Sequence, residues 1–219
     1  MSLNTAEVAK RLCRFLAFVH SKDSGRKLSF VDKNTFLGRT ENYKSEIAER
    51  ARNELKYEDW QESMIGSGEI LACCRKAMAC AGNLVYINQQ YTFDNITNRE
   101  HTAYSPNAER VLYDIYKAVD EKAAFTQALD VFGRHYDIIA YLFFIKDSSR
   151  FLPVSPGGFE AGLASIGVEY KISHKCSWEN YTGFIDIVRS VQRIMQDILP
   201  DIDVRLIDAH SFLWIINYM

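Results

Sequence analysis

Two groups of residues in this chain have types and spacings suited to chemistry. The first is Asp147 followed by Glu169-Tyr170-Lys171. An acid at the end of an apolar segment, then an acid and a lysine two apart on the next extended segment, can hydrolyse a phosphodiester. The two carboxylates hold Mg²⁺ through oxygen, and the lysine polarises the attacking water or the phosphate. Alternation along a strand sets Glu169 and Lys171 on one face. The second group is Lys171, His174, Lys175, Trp178 and Tyr181. It sits where a long helix is predicted to begin. Cations beside a helix N-terminus suit phosphate, and neighbouring rings can stack on bases.

Other chemistries lack their parts. Ile65-Gly-Ser-Gly-Glu69 has no phosphate-binding lysine and reads as a helix entry. Cys13, Cys73, Cys74, Cys80 and Cys176 form an odd set with an adjacent pair and no regular spacing. That pattern predicts free thiols in a reducing cytoplasm. Zinc needs paired ligands at short spacing, and His174-Lys175-Cys176 is a single pair. The five histidines are scattered, and no serine sits in a nucleophile elbow. Neither a metal nor a cofactor is expected.

The elements that must position these residues follow from periodicity. Residues 5 to 20 predict an amphipathic helix capped by Asn4, with Val8, Leu12, Phe15, Leu16 and Val19 on one face. Residues 21 to 26 read as a loop, and Leu28 to Val31 as a short strand. Asn42 opens a second helix. Ser67 caps a third, which is rich in small residues and stops at Gly82. Leu84 to Ile87 predicts a strand, and residues 88 to 104 irregular structure. Ser105-Pro106 starts a helix, and another covers 121 to 132. Ile138 to Ile145 is apolar all round and is compatible with a buried strand or a buried helix. After the turn at 151 to 158 come a short helix over 159 to 166 and a strand over Val168 to Ile172. Ser177 caps a long helix to Leu199, and Ala209 to Ile216 closes the chain as a helix.

The whole therefore reads as an α+β fold, predominantly helical with a few short strands. It forms one domain over 1 to 219, with a weak subdivision near 95 to 105. Length and a 47% hydrophobic fraction suffice for a sizeable core. The longest apolar runs, Ile138 to Ile145 and Phe212 to Ile216, are too short to span a bilayer, so no membrane partner is expected. The opening residues carry no basic-then-apolar signal segment. Net charge is only -2, yet residues 1 to 45 carry nine Lys/Arg against four Asp/Glu, a modest footprint for an anionic partner.

The C-terminal third carries Phe143-Phe-Ile-Lys-Asp-Ser-Ser-Arg-Phe-Leu-Pro153, Gly167-Val-Glu-Tyr-Lys171, Lys175-Cys-Ser-Trp-Glu-Asn-Tyr181 and Leu206-Ile-Asp-Ala-His-Ser-Phe-Leu-Trp214. The last stretch resembles an "IDxxSFxW" segment of bacterial restriction-linked proteins, both McrB-like proteins and HNH-nuclease-associated proteins. The chain lacks their P-loop and their HNH residues, so the resemblance implies a defence-linked accessory module and assigns no catalytic residue. The leading expectation is a non-catalytic, nucleic-acid-directed recognition module that uses Lys171, His174, Lys175, Trp178 and Tyr181. One alternative is a Mg²⁺-dependent nuclease of the PD-(D/E)xK kind, built on Asp147, Glu169 and Lys171. The other is a protein-interaction subunit that binds no nucleic acid, marked by an exposed apolar patch.

Overall fold

A computed structural model describes residues 3–23, 27–173 and 176–219. Among these residues eleven α-helices follow in chain order: α1 (Thr5–Asp23), α2 (Phe36–Thr40), α3 (Tyr43–Leu55), α4 (Glu69–Ala79), α5 (Ile87–Thr97), α6 (Ala108–Lys117), α7 (Glu121–Phe132), α8 (Tyr136–Lys146), α9 (Pro156–Ser165), α10 (Trp178–Ile198) and α11 (Leu206–Ile216). Among the described residues there is no strand, which corrects the expected α+β class to all-helical.

The structure decides the open case and changes several of the expected segments. Ile138 to Ile145 lies within α8, and every one of those side chains is buried. A helix bonds its own backbone, so it can pass through a core with no strand beside it. Val168 to Ile172 keeps the burial alternation of a strand: Val168 and Ile172 are buried, Glu169 and Lys171 exposed. No ladder forms among the described residues, and local partners take backbone groups in and beside the segment. Asn180 donates to the Lys171 carbonyl at 3.0 Å, and the Ser173 N–H donates to Glu160 at 2.7 Å. Leu28 to Val31 is irregular, and Leu84 ends a 3-10 turn. Most of the segment expected to be irregular, 88 to 104, is α5.

The chain divides into two compact units. The first comprises Met1–Glu46, Ser155–Lys175 and Glu179–Met219; the second comprises Ile47–Val154 and Cys176–Trp178. In the first unit, Val8, Leu12, Phe15 and Val19 form the buried stripe of α1. α11 packs against α1 and α9. Phe15 meets Phe212 edge-on, with ring centroids 5.3 Å apart. Gly162 permits the close approach of α9, since a Cβ there would run into the Leu213 carbonyl.

In the second unit α8 is the central element and packs against α5, α6 and α7. Two buried tyrosine hydroxyls find backbone acceptors. Tyr141 donates to the Ala77 carbonyl at 2.8 Å, and Tyr116 to the Leu142 carbonyl at 3.3 Å. No helix among the described residues is long and apolar enough to cross a membrane.

Candidate functional site

The residues singled out for phosphodiester chemistry are not assembled by a sheet, because none is present among the described residues. Asp147 belongs to the second unit, and Glu169 and Lys171 to the first. Asp147 ends α8 and folds the following turn: its Oδ1 accepts from the Ser149 N–H at 3.0 Å and the Ser149 hydroxyl at 2.6 Å. Lys171 pairs with Glu160 at 3.4 Å, and Glu169 is exposed. Among the described residues no group of three His, Cys, Asp or Glu side chains is placed to hold a metal ion.

The basic-aromatic group fares similarly. His174 and Lys175 lie outside the described residues. Tyr181 is 0% exposed. Trp178 is half-buried against Phe125, Phe143 and Phe151, at centroid distances of 5.8, 5.7 and 6.2 Å. The Tyr181 ring is wholly spent on packing, and the Trp178 ring is spent on it in part.

The Gly66-Ser67-Gly68 turn is a helix entry with its own internal anion. The Glu109 carboxylate, 2% exposed, accepts from the Gly66 and Gly68 N–H groups at 2.9 and 2.8 Å and from Arg99 at 2.9 Å. Both glycines adopt positive φ, so the turn needs them. The amides that a phosphate would have used are therefore occupied. Two of the thiols, Cys74 and Cys176, are held inert by their surroundings. Burial pushes Cys74 well up and Cys176 up to about 12, far from the thiolate that a nucleophile needs.

The most prominent surface feature lies on α4 and α5. The Glu109 clamp fixes the start of α4. A short turn then reverses the chain, and Gln90 staples it by donating to the Gly82 and Val85 carbonyls at 3.1 and 2.8 Å. α5 buries Phe93 and Thr97, four residues apart, on its inner face. Ile87 and Tyr91, also four apart, consequently face solvent at 62% and 65% exposure, and Tyr86 is 62% exposed beside them. Met78 and Ala79 of α4 and Phe93 of α5 help to line a cleft of about 200 Å³ next to these side chains. Arg75 and Asp94 also line it, and among the described residues neither side chain has a hydrogen-bond or ion-pair partner.

Adjacent exposed apolar side chains of this kind can mark an interaction surface. Sequence reasoning misses it because 84 to 104 reads as a strand and an irregular segment. The 87/91 and 93/97 spacings were the available signal. Fold and surface together define an all-helical protein of two compact units that carries an exposed aromatic-aliphatic helix face. The chain matches no family model, no curated protein and no solved structure, so its function is argued from its own residues.

Proposed function

We propose that this protein is an interaction module whose α4–α5 face receives an apolar helix of a protein partner. The observation that carries this reading is the exposure of Tyr86, Ile87 and Tyr91 beside a cleft floored by Met78, Ala79 and Phe93. Two adjacent helices offer a groove, and helix-in-groove recognition uses anchors spaced along one face of the incoming helix. Aromatic side chains at the centre of such a patch carry a disproportionate share of binding energy. Arg75 and Asp94 lie at the cleft as unpaired charges able to fix the partner's register. On this reading the partner supplies whatever chemistry the complex performs.

A photo-crosslinking residue placed at position 91 in the full chain, expressed in cells, tests the idea. The expected result is a discrete adduct of one mass, absent when the same residue replaces the exposed Gln127 of α7. Adding Ile87→Ser should reduce the adduct without moving the melting temperature. No discrete adduct from a folded chain would overturn the reading. Salt-dependent binding of DNA or RNA by the chain alone would promote the nucleic-acid reading in its place.

A further inference from the structure

The first unit contains a second cleft, of about 340 Å³, walled by Leu3 and Asn4 just before α1, the segment 167–170 and one stripe of α10. The α10 stripe is Gly183, Asp186, Ile187 and Ser190, spaced as one helix face. Gly183 is required for its shape. The Tyr170 hydroxyl lies over the bare backbone there, and a Cβ would collide with it. That hydroxyl donates to the Asn180 carbonyl at 2.8 Å, which fixes the ring in the wall.

The polar atoms of the cleft are mainly acceptors. The Tyr170 hydrogen is committed to Asn180, and the Ser190 hydroxyl donates to the Asp186 main-chain carbonyl at 2.9 Å. Both oxygens therefore offer lone pairs rather than hydrogens. Asp186 adds an exposed carboxylate, and no hydrogen bond or ion pair to that carboxylate occurs among the described residues. The one side-chain N–H donor among the lining residues is the Asn4 amide, whose Oδ1 caps α1. The Tyr170 phenol is raised from its ordinary value by burial first and by Asp186 second, which places the negative charge close to the ring. Leu3, Val168 and Ile187 supply apolar wall.

From these features we infer that the cleft binds a small organic ammonium ion, its apolar body against Val168 and Ile187 and its N–H groups directed at Asp186, Ser190 and Tyr170. Three acceptors match the three hydrogens of a primary ammonium, and an aromatic ring beside a cation adds attraction. The volume sits at the small end of ligand sites, which selects a compact amine. This inference is independent of the α4–α5 face.

The test is saturation-transfer NMR on the full chain with phenethylamine, and with phenethyl alcohol and phenylacetate as neutral and anionic counterparts. Phenethylamine should give signal at millimolar concentration, and the two counterparts should not. Asp186→Asn should weaken binding roughly tenfold, as loss of one charge-assisted hydrogen bond does, with the melting temperature unchanged. Asp186→Lys, which puts an ammonium of the protein's own at the cleft, should abolish it. Absence of signal from phenethylamine on the intact chain, equal signal from all three probes, or unchanged affinity in Asp186→Asn would each overturn the proposal.

Discussion

At the residue scale, the side chains with the most suggestive chemistry are held in structural work. Lys44 is 3% exposed, and its ammonium donates to Glu41 at 2.6 Å and to Ser211 at 2.9 Å. A serine beside a buried lysine has the composition of a nucleophile and its base. Here both are sealed from substrate, Ser211 at 2% exposure, and Glu41 holds the ammonium in place. The "IDxxSFxW" stretch is accordingly a packing motif in this chain. Asp208 caps α11 and accepts from the Arg205 guanidinium at 2.7 and 3.0 Å, Phe212 fills the core, and Trp214 lies against Phe159. Asp137 carries its charge in an unfavourable place. Its Oδ2 is buried with no hydrogen-bond partner among the described residues, and burial holds its carboxyl above the ordinary value. A raised carboxyl means that the folded chain holds the proton more tightly than the unfolded chain. The stabilising contribution is therefore present below the unfolded value of 3.8 and is lost as pH rises through the folded one. Asp137→Asn should raise the melting temperature at neutral pH, with the gain fading as pH falls through the folded value and gone below 3.8. Thermal denaturation across pH checks it, and a uniform loss of stability at every pH would refute it.

At the element scale, close helix contacts are set by the absence of side chains. α9 contains Gly157, Gly158 and Gly162, and they are not equivalent. A methyl group added at Gly157 would have nothing within 4 Å, whereas at Gly162 a Cβ would meet backbone of α11 that cannot swing aside. Gly162→Ala should therefore cost about 1–3 kcal/mol, as overpacking does. Gly157→Ala should be neutral or stabilising by up to about 1 kcal/mol through helix propensity and a less flexible unfolded chain. Urea denaturation of the two variants separates them, and equal effects would show that α9 and α11 can slide apart at little cost. α8 makes the complementary point. Its all-round apolar surface carries no amphipathic stripe, so its place at the centre of its unit is the one environment that suits it.

At the scale of the whole molecule, a small net charge of -2 and a sequence pI near 6.2 give little electrostatic repulsion between copies. The exposed face of α5 then dominates how the protein meets other surfaces. Solubility should pass through its minimum near pH 6.2, the sequence pI, and the double substitution Ile87→Ser, Tyr91→Ser should raise the solubility limit there. Because both side chains are largely exposed, stability should change by no more than about 0.5 kcal/mol for each. Turbidity against concentration, with a melting curve for each protein, checks both halves. Unchanged turbidity would show that another surface governs association.

By itself the sequence determined the local events that depend on neighbours in the chain. The α1 stripe of Val8, Leu12, Phe15 and Val19 is buried as its spacing requires, and α10 begins at Trp178, directly after Ser177. Asn4 caps α1 with its side chain, accepting from the Ala6 and Glu7 N–H groups. Tertiary structure decided what those elements are used for. An apolar run such as Ile138 to Ile145 specifies burial but not backbone geometry, because strand and helix hide it equally well. A two-residue alternation at 168–172 specifies which side chains face inward but not whether a partner strand exists to complete a sheet. Whether Trp178 and Tyr181 meet a base or a core, and whether Ile87 and Tyr91 meet water, depends on which helices arrive beside them. Those neighbours come from distant parts of the chain: Phe125 and Phe143 for Trp178, and α8 for α5.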